Sequence, residues 1–167
     1  MQIPFDCTQV FFATTHHEAI MPSKRPEDSS YDLYAVDANN VTIAPHTTVK
    51  LRTGIVSAFS PKYRVKIEPR GTTAKAGLMI NAGVVDSGYR GEWFVSVVNT
   101  NDVPVQFTDQ VNEVLALDSM VLYPVTKAVA QFKIDEVPVL TVVSMAHKEI
   151  LQFESERGDG AEGSSKK

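Results

Sequence analysis

The stretch Tyr63-Arg64-Val65-Lys66-Ile67-Glu68 alternates an apolar side chain with a charged one at every step. That period of two belongs to a β-strand with one buried face and one wet face. Short runs rich in Val, Ile, Thr and Phe recur on both sides of it: Val41–Ile43, Thr48–Leu51, Leu78–Ile80, Trp93–Val98, Val129–Ile134 and Val139–Val143. Pro, Gly, Asn and Asp punctuate them roughly every eight to twelve residues, the rhythm of an all-β sandwich or barrel. Helical periodicity is faint, and only Asp109–Leu117 and Met145–Phe153 read as short helices. The expected fold class is all-β.

The chain's 167 residues suit one domain with a proper core, and an apolar fraction of 43% is ordinary for a globular protein. The expected domain covers residues 1–153. From Glu154 onward Gly, Ser and charge replace apolar residues, so 154–167 reads as a mobile C-terminal arm. Residues 101–124, with acids at Asp102, Asp109, Glu113 and Asp118, read as an elaboration between two core strands. A formal net charge of −4 argues against a nucleic-acid partner but leaves an anionic small molecule open, since local Arg and Lys decide that. Cys7 is the only cysteine, which rules out an internal disulfide and a cysteine-based zinc site. No charged-then-apolar leader opens the chain, and no apolar run nears the ~20 residues that span a bilayer. The expected setting is the cytoplasm (the host's, for a viral source), without membrane contact.

The alternating strand runs into Glu68-Pro69-Arg70-Gly71-Thr72-Thr73-Ala74-Lys75-Ala76-Gly77, a guanidinium followed by a hydroxyl-rich turn. Backbone N–H groups, hydroxyls and guanidinium are the groups that bind phosphate oxygens. Further on, Gly83-Val84-Val85-Asp86-Ser87-Gly88-Tyr89-Arg90-Gly91 drops from an apolar run onto one acid. A carboxylate at the end of a buried strand is held rigidly and partly desolvated, which suits a water-activating base. Tyr89 adds a flat wall at the reach of a small ring. Taken alone, an Asp-x-x-Tyr turn is more often a solvated loop. Three further segments keep it company. Tyr31-Asp32-Leu33-Tyr34-Ala35 sets an acid in a strand-like run, and Ala128-Val129-Ala130-Gln131-Phe132 sets one amide in an apolar strand. The end of the chain carries Arg157, Ser164 and Ser165 among glycines. His16-His17-Glu18 lacks the second histidine of a zinc-protease helix and reads as a solvated segment.

In this order the five segments resemble the five motifs of the trimeric dUTPase (deoxyuridine triphosphatase) family. The resemblance begins near Ala19-Ile20-Met21-Pro22 and covers most of the chain, with 101–124 as the main exception. It implies a distorted jelly-roll or β-barrel subunit in a homotrimer whose active sites lie between subunits. It implies dUTP as substrate and Mg²⁺ as cofactor, with dUMP and pyrophosphate as products. Asp86 would deprotonate a water that attacks the α-phosphorus. Asp32 would hold part of the Mg²⁺ water shell or orient Arg70. Arg70, Gly71, Thr72 and Gln131 would contact the phosphates, with Arg157, Ser164 and Ser165 arriving on the tail of another chain. Asn81, Gly83, Val84 and Val85 would read uracil from a hairpin, and Tyr89 would pack beneath the deoxyribose and leave a ribose 2′-hydroxyl no room.

The chain departs from the family pattern at three places. Gly71 stands where the family usually has Ser, Glu162 where the tail commonly carries an aromatic, and Ala128 where the fourth motif usually has a basic residue. A dCTP deaminase would need a glutamate three residues before Asn99, and Ser96 stands there. The remaining alternative is a regulatory, protein-binding member of the fold with weak or no catalysis, and a protein partner stays open beside either reading.

Overall fold

The computed structural model describes residues 2–155. Its strands are β1 (Val10–Thr14), β2 (Tyr31–Leu33), β3 (Thr42–Ile43), β4 (Thr48–Arg52), β5 (Ile55–Phe59), β6 (Tyr63–Glu68), β7 (Leu78–Asn81), β8 (Val84–Val85), β9 (Phe94–Asn99), β10 (Val105–Thr108), β11 (Leu115–Ala116), β12 (Val121–Pro124) and β13 (Ala130–Glu136). Two short helices, α1 (Gly71–Lys75) and α2 (His147–Ile150), complete the described elements. The fold is all-β and jelly-roll-like. Strands pair in the orders β2-β13-β6-β8, β4-β9-β7, β11-β12-β10-β3 and β1-β5.

The alternation in β6 does what its sequence dictates. Val65 and Ile67 are buried, while Arg64 and Lys66 face water. On that wet face Glu68 lies between Lys66 (3.3 Å) and Lys133 of β13 (3.2 Å). The buried faces meet around Trp93, whose ring meets those of Phe12 and Phe132 edge-on at 5.6 and 5.1 Å. Asn99 is buried at the end of β9. Its amide donates to the carbonyls of Ile43 and Val103 and accepts from Asn101, so it pins β9 to β3. A buried amide is tolerated only when satisfied in this way.

Several expectations need correction. Residues 101–124 do not stand apart, because β10 and β12 pair in parallel and bury Val105, Phe107, Val121 and Tyr123 in the core. The acids that suggested an elaboration lie in exposed connections, Asp102 just before β10 and the others between β10 and β12. Asp109–Leu117 is no helix; it is a turn that leads into β11. Val139–Val143 is no strand. It pairs with nothing among the described residues, and Val142 is 94% exposed. Of Met145–Phe153 only α2 is helical. The hydroxyl-rich turn after Arg70 closes into α1.

Candidate active site

Register places three polar residues side by side: Asp32 on β2 faces Gln131 on β13, which faces Glu68 on β6. Just beyond β6, Arg70 caps α1 and pairs with Asp32 at 3.0 Å. Both side chains are only partly exposed, at 26% and 34%, so the pair is screened less than a surface ion pair. Gln131 donates its amide to the Pro69 carbonyl at 2.9 Å, tying β13 to the same turn. The turn itself is fixed by Thr73. Its hydroxyl accepts the Arg70 N–H at 3.2 Å and donates to the Val129 carbonyl at 3.0 Å. Thr73 is buried, which leaves Thr72 as the partly exposed hydroxyl of the turn. Nothing lies within 4 Å of the point where Gly71 would carry a Cβ.

Tyr123 supports this row from beneath. It is fully buried, and its phenol donates to the Ala128 carbonyl at 2.8 Å. Burial, partly offset by the Thr73 hydroxyl and the Arg70 charge, pushes the phenol up to about 12, so it stays a proton donor at every working pH. Together Tyr123 and Thr73 hold the carbonyls of residues 128 and 129, where β13 begins. Sequence reasoning missed Tyr123 because it lies in the stretch read as an elaboration, and only the β10–β12 pairing brings it under Arg70.

Asp32, Glu68, Arg70 and Gln131 line an open groove of about 870 Å³, walled on the other side by the loop from Ser23 to Ser30. Its charged groups are Lys24, Arg25 and Arg70 against Glu27, Asp28, Asp32 and Glu68, three cations to four carboxylates. Arg25 is already taken by Asp28, at 2.8 Å.

The second group of candidates sits around β8 and the turn after it, with Asn81 on β7 of a neighbouring sheet. Gly83 closes against β6, where the Ile67 N–H donates to its carbonyl at 2.6 Å and a Cβ would strike the Ile67 carbonyl. Val84 and Val85 then pair with Lys66 and Val65. Asp86 follows, exposed rather than desolvated, and its carboxylate has no hydrogen-bond partner among the described residues. Its N-terminal neighbour Val85 opposes Val65, so Asp86 comes abreast of Arg64, roughly 13 Å along β6 from Glu68 at the usual strand rise. The Tyr89 N–H donates to the Asp86 carbonyl at 3.0 Å, and its phenol donates to the Glu92 carbonyl at 3.0 Å. Asn81 ends β7 opposite Ser96. One chain therefore brings Asp32, Arg70 and Gln131 together, and Asp86 with Tyr89 together, but not the two groups to each other. Arg157, Ser164 and Ser165 lie outside the described residues.

A family model described as dUTPase matches residues 16–127. The chain belongs to the dUTPase family. Among its relatives, the deoxyuridine 5′-triphosphate nucleotidohydrolase of Mycobacterium leprae is 31% identical over 150 residues, 87% of this chain and 86% of that protein. The protein of the same description from Gloeobacter violaceus is 34% identical over 93 residues. That match covers 54% of this chain and 63% of the relative, a little under two thirds of its length. In structure, the chain is similar to the dUTPase of Staphylococcus bacteriophage 80alpha with dUpNHpp, at a TM-score of 0.75 and 19% identity, covering 96% of this chain and 99% of that one. The family match takes in Asp32, Arg70, Asp86 and Tyr89, while Gln131 follows just after it. No described helix is long and apolar enough to cross a membrane.

Proposed function

We propose that the chain hydrolyses dUTP to dUMP and pyrophosphate in a site shared between copies of a homotrimer, in the cytoplasm. The observation that carries this reading is the division of the candidate residues into two groups, Asp32, Arg70 and Gln131 against Asp86 and Tyr89, each incomplete alone. The relatives' names support the substrate. Support for assembly comes from the C-terminal stretch, where Val139, Leu140, Val142 and Val143 are at least 72% exposed. So large an apolar surface is covered by something in a stable soluble protein.

In the proposed reaction Asp86 accepts a proton from a water whose oxygen forms a new bond to the α-phosphorus. The bond from that phosphorus to the bridging oxygen breaks, and pyrophosphate leaves with the electron pair. Positioning and charge neutralisation account for most of such a rate gain. Arg70, held in line by Asp32, faces the phosphates, with Thr72 supplying the hydroxyl and Gln131 the amide. The tail residues Arg157, Ser164 and Ser165 close the far side. Asn81, Gly83, Val84 and Val85 present backbone groups to uracil, and Tyr89 faces the sugar.

The groove's excess of carboxylates over cations suits a polyphosphate that enters with a divalent cation rather than bare. Asp32 among these hard oxygen donors fits the water shell of Mg²⁺. When bound, Mg²⁺ would supply positive charge against the phosphates, with Asp32 as the residue that would hold its water shell. The testing experiment is a substrate panel with Mg²⁺: pyrophosphate release from dUTP, with dCTP, dTTP and UTP nearly silent. No turnover of dUTP removes the proposal.

A further inference from the structure

The turn that carries Asp86 and Tyr89 has little packing of its own. Asp86 and Gly88 are exposed, nothing lies within 4 Å of a Cβ built on Gly88, and Tyr89 is 45% exposed. The ring folds back over Gly91, where any Cβ would run into the phenol, and its hydroxyl is tied to the Glu92 carbonyl. The position of Glu92 therefore sets the position of the ring.

Glu92 is in turn gripped by the β4–β5 turn. Its carboxylate takes the Gly54 N–H at 2.9 Å and a forked pair from Arg52, with Nε at 3.2 Å and Nη2 at 3.0 Å. Gly54 holds φ +65, its carbonyl accepts the Thr15 N–H at 2.7 Å, and a Cβ there would press on Ala19 and His16. The remaining arm of Arg52 donates to Asp37 at 3.1 Å, and the same Asp37 oxygen lies 3.3 Å from His16 Nε2. His16 Nδ1 accepts the Glu18 N–H at 3.2 Å, so in the neutral ring Nε2 carries the hydrogen on the side of Asp37. His16, Glu18 and Asp37 bring three metal-type ligand atoms within 4.8 Å of one another. The Arg52 arm already holds the Asp37 oxygen, however, and a cation bound there would have to compete with it.

We propose that Glu92, Arg52, Asp37 and His16 form a brace of positioning residues that fixes the Tyr89 ring and so sets how strongly the site rejects ribose. This rests on the reading of Tyr89 as the sugar-facing group. Excluding one hydroxyl by shape requires a wall held to within about half an ångström, which an exposed turn does not achieve unaided. The brace provides that rigidity from outside the turn.

The test compares kcat/KM for UTP and for dUTP in the full-length protein and in Glu92→Gln, Asp37→Asn and Arg52→Lys. Glu92→Gln should raise UTP relative to dUTP about tenfold, the scale on which a shape-only pocket distinguishes small groups. Asp37→Asn, at the exposed end of the brace, should give a smaller rise and keeps the test open if Glu92→Gln does not fold. Arg52→Lys, which keeps the charge but loses the fork, should also raise the ratio. A parallel fall for both nucleotides, or an unchanged ratio, overturns the brace. Wild-type protein that does not turn over dUTP removes the functional reading instead. In that event ring resonances of ¹³C-tyrosine-labelled protein decide: Tyr89 signals that move in Glu92→Gln support the brace, and signals that stay put overturn it.

Discussion

At the scale of single residues, the clearest departure from the family pattern is also the simplest to reverse. Gly71 occupies the usual serine position with open space around its missing Cβ. Gly71→Ser should therefore fold as well as the parent and raise kcat for dUTP, because it restores a hydroxyl beside Arg70; steady-state kinetics with matched thermal melts checks both. Glu92 leads to a second expectation, in pH. Burial pushes its carboxyl up, but the Arg52 fork and the Gly54 N–H outweigh that and hold it below its ordinary 4.5. A carboxylate with a depressed folded value stabilises the fold fully above its unfolded value and loses that contribution as pH falls through the folded one. Thermal melts should therefore fall below about pH 4.5. In Glu92→Gln the melting temperature should be lower at neutral pH and the fall below that point shallower.

At the scale of elements, the turn around α1 shows how one hydroxyl organises a site. Thr73→Val keeps the volume but strands the Arg70 N–H and the Val129 carbonyl. The expected loss is roughly 1–3 kcal/mol, the cost of unpaired buried polar groups, read from urea unfolding. Strands such as β6 were legible in the sequence because one face is wet, and alternation survives only where the two faces differ. β3, β8 and β11 span two residues each, too short for any period to show. The acids of 101–124 hid β10 and β12 because the connections between those strands carry most of the charge. Val139–Val143 has strand composition without a strand, since composition reports a wish to pair and a partner edge has to come from elsewhere. Asp32, Arg70, Gln131, Asp86 and Tyr89 could be picked out by motif order. Tyr123, Arg52 and Glu92 could not, because sheet topology alone brings them to the site.

At the scale of the whole molecule, the two half-sites lie toward opposite ends of β6, and on the proposed reading a second chain completes each. Asp86→Asn should abolish turnover while nucleotide binding persists, as checked by calorimetry. Arg70→Ala should abolish turnover through the other half. Each dead variant still carries the half that the other lacks. Subunits of the two, unfolded together and refolded as a mixture, should regain dUTP hydrolysis that neither shows alone, and a mixture that stays inactive would place both halves within one chain. The separation of roughly 13 Å along one strand thus has a genetic consequence. Two loss-of-function alleles of this protein, expressed in one cell, should complement each other when their lesions fall in opposite halves and fail to do so when they fall in the same half.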